Sequence, residues 1–304
     1  MSNEIFYKLL KLFIILLGLL PRSVARFCSN IIGLAWFKAD KRHKNIALKN
    51  ISNAYKEELS PAQVSSLCKQ VFKNTVHMIF DIAWAFRMEQ EELLKHYTIK
   101  GYENLKDALQ KGRGVLLLAG HMGNFELLVA GFGNDPDFTM YGAYRRFDFQ
   151  PLERLMLEER QRFGTVMIPL SGAAKKIDAV LRNKDAVGTL LDQNADWYNG
   201  VFVDFFGRSA CTNKGLAILA MRTRARVVPM YIAKINNKYV VEFLPQIPLQ
   251  STGDTIKDIE NNTQNYTLAI ESMVRKYPDQ YFWIHNRWKT RPYSIISKKG
   301  NGKK

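Results

Sequence analysis

The sequence predicts an α/β protein, a mixed sheet flanked by helices, preceded by an all-helical front end that opens on a hydrophobic membrane helix. Three observations carry this. From about Lys100 onward, short apolar runs of strand length alternate with helical stretches. Before that point the apolar residues recur at helical spacing. The chain has 304 residues, 47% apolar and 24% charged, enough for one large core, and no linker, repeat or low-complexity segment divides it before its basic tail. The expected division is residues 1–37 as membrane-anchoring or interfacial helices, 38–292 as the α/β domain and 293–304 as a basic tail.

The elements follow in order. Residues 12–20 (LFIILLGLL) carry no charge, and extending back to Ile5 gives sixteen mostly apolar residues interrupted by Lys8 and Lys11. A full span needs about twenty, so this segment is short. Three readings fit it: an anchor inserted in the cytoplasmic leaflet, an interfacial amphipathic helix, or a cleaved leader ending at Ser23-Val24-Ala25. Pro21 and the flanking arginines disfavour cleavage. Basic residues 38–49 keep the body cytoplasmic by the positive-inside tendency.

Ser60 and Pro61 read as an N-cap and first helical position, opening a helix to about Met88 with Val64, Leu67, Val71, Phe72, Ile79, Ile82 and Phe86 near one stripe. Strands are expected at 115–119 (VLLLA), 138–144, 186–191, 226–232 and 239–244. Helices are expected at 173–182, 212–223 and 255–276, the last leading into 281–284.

The charge is concentrated at the two ends. Residues 8–49 hold nine Lys/Arg and one acid, and residues 285–304 hold seven Lys/Arg and no acid, out of a formal net charge of +16. The central body is therefore close to neutral. Clustered Lys/Arg next to an apolar segment fits an anionic membrane surface. Nucleic acid is disfavoured, because no zinc-finger spacing, aromatic RNA-binding signature or helix-turn-helix is present. Cys28, Cys68 and Cys211 are far apart and form no C-x-x-C pair, which argues against disulfides and a zinc site.

The sharpest chemical feature is Gly120-His121-Met122-Gly123-Asn124-Phe125-Glu126, directly after the VLLLA strand. Ligands bind at the carboxyl ends of strands in open α/β sheets. A helix starting after His121 would bring the Glu126 carboxylate back to the imidazole and present free N–H groups to an oxyanion. The imidazole would then take a proton from an attacking hydroxyl while the carboxylate fixes its tautomer. Spacing alone is only moderately specific: a helix-capping His and a surface Glu make the same pattern. Cys211 is the other conceivable nucleophile, but no activating base stands beside it in sequence.

In these residues the chain resembles the bacterial lipid A biosynthesis acyltransferases, the late lauroyl/myristoyl transferases of the wider lysophospholipid acyltransferase group. His121 and Glu126 match that branch's His-x4-Glu. Further resemblances follow in order: Tyr144-Arg145, Arg162-Phe163-Gly164, Leu191-Asp192-Gln193, residues 201–207 (VFVDFFG), the strand at 226–231 and residues 281–292 (YFWIHNRWKTRP). Asp204 stands where proline is common and Lys214 where a small residue is common, and both bear on the acceptor pocket. The resemblance spans about residues 5–292 and implies a glycerol-3-phosphate acyltransferase-like fold.

The resemblance further implies an acyl donor on acyl carrier protein, a phosphorylated glycolipid acceptor, and a site at the cytoplasmic face of the inner membrane, with His121 as base and Glu126 as its partner. No cofactor or metal is needed for direct transfer. Arg145, Arg162, Arg208 and Arg287 are candidates for carboxylate or phosphate contacts, because guanidinium binds both bidentately. Asp192 and Gln193 are candidates at a second strand end. Acylation of a lysophospholipid, aminolipid or other glycolipid, and a non-catalytic membrane-binding relative, are the alternatives. His43, His77 and His96 are expected to be non-catalytic, while His285, inside the family-like ending, is open to structural packing near the site or a direct role.

Overall fold

The computed structural model describes residues 3–132 and 135–292. The expected tail at 293–304 lies outside the described residues. The front end is four helices: α1 (Asn3–Gly18), α2 (Arg22–Ala39), α3 (Lys41–Tyr55) and α4 (Pro61–Ala85). Each start has a local cause. Asp40 caps α3 by accepting from the His43 N–H, and Ser60 and Gln63 form a reciprocal capping box with Pro61 at the first position of α4. Helix α2 can lie on α4 because of Gly33, where a Cβ would stand 2.6 Å from the Lys73 Cα.

After the short α5 (Gln90–Leu94) come β1 (Tyr97–Lys100), α6 (Tyr102–Gln110), β2 (Val115–Ala119), β3 (Met140–Tyr144), α7 (Gln150–Gln161), β4 (Val166–Pro169), α8 (Ala174–Arg182) and β5 (Ala186–Leu190). Then follow β6 (Gly200–Phe205), β7 (Arg208–Asn213), α9 (Gly215–Thr223), β8 (Arg226–Ile235), β9 (Lys238–Phe243) and α10 (Thr255–Lys276). Seven strands form one sheet in the order β1-β9-β8-β2-β5-β3-β4. Every neighbouring pair is parallel except the β8–β9 hairpin. Strands β6 and β7 form a separate antiparallel ribbon.

The central strand β2 is buried along its whole length. Leu116 and Leu118 enter a core shared with α3, α4, α8, α9 and α10, and Val115, Leu117 and Ala119 enter a second core with α6. A strand covered on both faces reads as an unbroken apolar run, which is why VLLLA is legible in the sequence.

Several expectations change. None of the helices among the described residues is long and apolar enough to cross a membrane. The expected N-terminal membrane helix is therefore not supported. Helix α1 instead docks on α7, where the Tyr7 hydroxyl donates to Glu158 at 2.5 Å and Arg154 lies over the Tyr7 ring. The expected helix at 212–223 begins only at Gly215, because residues 208–213 pair in register with β6. Residues 281–284 form a single bridge, Met122 to Tyr281, rather than a strand. The segment after His121 is two 3₁₀ turns, Phe125–Leu127 and Val129–Gly131, rather than an α-helix. Four glycines and a proline between 120 and 136 oppose a helix there.

Candidate active site

The register of the two central strands builds the site. Val115 lies opposite Ala186 and Ala119 opposite Leu190, a constant offset of 71 residues. The Leu191 N–H donates to Ala119 O and carries the alignment one step further. Two residues beyond the strands, His121 and Asp192 therefore emerge side by side at the carboxyl edge. The His121 Nδ1 and Asp192 Oδ1 are 2.8 Å apart. With the carboxylate ionised, Nδ1–H donates to it and Nε2 keeps its lone pair. The Gln193 Nε2 lies 3.3 Å from that second nitrogen.

The backbone of the loop is held just as firmly. Gly123 has φ +57°, and a Cβ there would stand 2.0 Å from Ile232 O, so only glycine fits. The Gly123 N–H donates to Gln280 O and the Phe282 N–H to His121 O. The Met122 N–H donates to Gly120 O. The N–H groups of Met122 and Gly123 are thus already used and do not form the free cluster expected for an oxyanion.

Asp192 is 3% exposed. Burial raises a carboxyl pKa, but the His121 charge and hydrogen bond outweigh it and hold Asp192 below its ordinary value. For His121, burial lowers the pKa. The Asp192 charge and hydrogen bond, with a smaller contribution from Glu126, outweigh it and hold the imidazole above its ordinary value. The two directions agree and describe an ionised carboxylate beside a strengthened base. The Tyr281 hydroxyl also meets Asp192, and burial pushes its own pKa well up.

Glu126, expected on the imidazole, is held elsewhere. Arg160 grips it in two hydrogen bonds of 2.7 and 2.6 Å, and both side chains are 12% exposed. The physical reason is the missing helix: the 3₁₀ turn aims Glu126 at α7 and leaves Asp192 as the hydrogen-bonded carboxylate. Arg160 itself gave no sequence signal, since it lies within an ordinary amphipathic helix.

The four arginines fall in different places. Arg162 donates to Phe86 O at 2.6 Å and Ala85 O at 2.8 Å, closing the end of α4. Arg287 is 2% exposed and donates to Cys211 O at 2.9 Å and to the Thr212 hydroxyl. Arg287 is thus spent on buried partners, whereas Arg162 also lines a small recess with Glu126 and Arg160. Arg145 is on the surface beside Asp148, and Arg208 lies over the Trp288 ring. Burial and the Arg291 charge lower the Arg208 pKa.

The family-like ending is a strap. Asn50 donates to Trp283 O and His285 O, and Asn74 donates to Asp279 O. His285 Nε2 accepts from the Asn194 N–H at 2.9 Å, while Thr290 N–H donates to Asn194 Oδ1. Burial, helped by the Arg287 and His121 charges, lowers the His285 pKa and keeps it neutral for that role. The strap holds the His121 loop and the Asp192 loop at once. Cys211, on β7 beside the strap, is buried, and burial raises its thiol pKa. Among the described residues, no group of three or more His, Cys, Asp and Glu could hold a metal ion.

Two recesses lie near His121 and meet at Phe125, whose ring packs edge-on to the imidazole. One is apolar, about 580 Å³ including its mouth, and runs from Ala119 and Phe125 between Leu128, Met140 and Met230. Its floor is the sheet itself, laid bare where Gly142 and Gly188 lie opposite each other on β3 and β5. The other, which His121 itself lines, mixes apolar walls with polar groups and passes His77, Asn124 and Lys234.

Comparison with known proteins supplies the family. The description of the bacterial lipid A biosynthesis acyltransferases matches residues 4–290. The chain belongs to that family. A lipid A biosynthesis palmitoleoyltransferase of Escherichia coli K12 is 25% identical, aligning 90% of this chain with 87% of its own length. A lipid A biosynthesis lauroyltransferase of the same strain is 25% identical over 85% of this chain and 83% of its own. A phosphatidylinositol mannoside acyltransferase of Mycolicibacterium smegmatis is also 25% identical, over 67% of each chain. As a lipid A biosynthesis acyltransferase family member, the protein is an acyltransferase whose His-x4-Glu spacing is carried by His121 and Glu126.

Proposed function

We propose that the protein transfers a fatty acyl group from acyl carrier protein to a hydroxyl of a lipid A precursor at the cytoplasmic face of the inner membrane. The observation that carries this is the His121–Asp192 pair, 2.8 Å apart, with His121 lining one recess and an apolar recess meeting that one at Phe125.

The acceptor hydroxyl gives its proton to His121 Nε2 as its oxygen attacks the thioester carbonyl. Asp192 stabilises the imidazolium that forms. The tetrahedral intermediate collapses, the carbon–sulfur bond breaks, and the carrier thiolate takes the proton back from Nε2. Gln193 is the side-chain donor nearest that atom. Glu126 acts differently from a direct partner: clamped by Arg160, it shapes the mouth of the apolar recess and raises the His121 pKa from a distance. That recess accepts the donor chain, since its walls have few polar groups to leave unpaired.

Membrane association is supported by the outer faces of α1 and α2. Leu9, Leu12, Phe13, Leu16, Phe27 and Ile31 are all more than half exposed. A helix docked by one face with an apolar outer face and flanking lysines suits an interfacial position. A patch of this kind on a protein surface marks an interaction site.

The test is His121→Ala, assayed with acyl carrier protein thioester and a lipid A precursor in mixed micelles. Transfer is lost and binding to anionic vesicles persists. Full activity in that variant overturns the mechanism. Mass spectrometry of lipids from cells with and without the protein checks the acceptor, and a mass change confined to phospholipids overturns the lipid A assignment.

A further inference from the structure

We propose that the cleft between α2, α4 and the β8–β9 turn seats the anionic, hydroxyl-rich headgroup of the acceptor, with Arg22, Arg26 and Lys234 as its cations. The inference rests on the acyltransferase reading above for the word acceptor, and on the cleft alone for the ligand chemistry.

The recess at His121 neighbours a larger cleft of about 2150 Å³ including its mouth. The two share Asn74, His77, Asp81, Lys234, Asp279 and Gln280 along their walls, so they adjoin there. A ligand that reaches the His121 recess from this cleft would have its headgroup beside α2.

The acids of that cleft are already occupied. Asp81 is 5% exposed and accepts from Lys234 at 2.6 and 2.9 Å and from Arg22 at 2.9 Å. Asp279 accepts from Asn74 at 3.0 Å. Arg22 and Lys234 share one buried carboxylate, which leaves an excess of positive charge. Arg26 has no carboxylate partner among the described residues; its guanidinium meets only Asn237 Oδ1, at 3.5 Å, the outer limit of a hydrogen bond. Burial, with smaller contributions from the Arg22 and Arg26 charges, holds the Lys234 pKa below its ordinary value despite Asp81. An incoming anion offsets the excess positive charge.

Two acceptors on the way in lack donors. The His77 Nε2 and the Asn124 Oδ1 are both buried and without a hydrogen-bond partner, and both residues line the recess at His121. Buried polar atoms are nearly always paired in native proteins, so orphans along a cleft point to a ligand that brings its own donors. Sugar hydroxyls and amide N–H groups do so; a hydrocarbon chain does not. Helix α2 also places the exposed Phe27 and Ile31 close in sequence to Arg22 and Arg26. That order suits a ligand whose anionic group sits at the membrane surface.

The test uses the full chain in neutral detergent and titration calorimetry with N-acetylglucosamine 1-phosphate, N-acetylglucosamine and inorganic phosphate. The phosphosugar is expected to bind at least about tenfold more tightly than either single-component probe. Arg26→Gln removes about tenfold of phosphosugar affinity, and Arg26→Lys restores part of it. In transfer assays, Arg26→Gln lowers the kcat/KM ratio of phosphorylated to dephosphorylated acceptor about tenfold, mainly through KM. Equal binding of the sugar and its phosphate, inorganic phosphate binding as tightly as the phosphosugar, or no effect of Arg26→Gln on phosphosugar affinity, each overturns the proposal. If no acceptor is acylated, the acyltransferase mechanism fails, and the calorimetry still decides whether the cleft binds a phosphorylated sugar.

Discussion

Replacing Asp192 by Asn separates the two carboxylates that compete for the role of partner to His121. The carboxylate oxygen is 2.8 Å from Nδ1 in a site where Asp192 is 3% exposed. Opposite charges about 4 Å apart attract by about 4 kcal/mol at the effective dielectric of a protein site. That attraction is well above the about 1.4 kcal/mol that one pKa unit represents, so losing the carboxylate lowers the His121 pKa. The sign follows from the pair. The base must be neutral to act, so the rate rises with pH through the His121 pKa, which Asp192 holds above its ordinary value despite burial. In the Asn variant burial acts without that opposition, and the acid limb of the profile moves to lower pH. The plateau also falls, by about 10²- to 10⁴-fold, because an amide donating to Nδ1 favours the wrong tautomer. The measurement is kcat/KM against pH for wild type, Asp192→Asn and Glu126→Gln. Glu126→Gln moves the limb less, and its dominant effect is a lower Tm. Stranding the Arg160 guanidinium destabilises the fold by about 3 kcal/mol. A large limb shift in Glu126→Gln with none in Asp192→Asn refutes the assignment.

Other outcomes follow from the same geometry. Gly123→Ala places a methyl 2.0 Å from Ile232 O at a positive φ, so it lowers the Tm and abolishes transfer; a variant with unaltered melting and activity would show that the loop is not so constrained. Gly188→Val fills the floor of the apolar recess while Met140, whose Cε is 3.0 Å from the new Cβ, moves aside. Each excluded methylene removes about 0.8 kcal/mol, so kcat/KM for a long donor falls about fourfold per methylene while a shorter donor is retained. Parallel losses on all chain lengths would place the donor chain elsewhere. The double variant Phe13→Asp, Phe27→Asp changes residues that are 58% and 66% exposed, so the Tm stays within about a degree. Its affinity for anionic vesicles drops at least about a hundredfold, as checked by vesicle flotation.

Some elements were legible because one local signal decided them. A strand covered on both faces reads as an apolar run, as at 115–119, and Ser60-Pro61 marked a helix start that the capping box bears out. The exposed or half-buried strands β1 and β4 were missed, since YTIK and VMIP are too short to show a pattern. The β6–β7 ribbon was half hidden in what reads as the start of α9, because cross-strand pairing rather than local propensity extends residues 208–213. Arg162 and Arg287 carried a motif-like signal without revealing which way they face. A guanidinium that donates to backbone carbonyls and one that awaits a phosphate look the same in a sequence.

The sequence by itself determined that a histidine stands at the end of a buried strand, followed by a carboxylate five residues on, and that an Asp-Gln pair ends another strand. It also determined the α/β class and the apolar and basic character of the first helices. Only the tertiary structure decided which carboxylate reaches the imidazole. Strands β2 and β5 lie parallel at an offset of 71 residues, which brings Asp192 to His121, while a glycine-rich turn sends Glu126 to Arg160. Hydrogen-bond partnership is a matter of distance in space, and sheet register sets that distance where sequence separation does not.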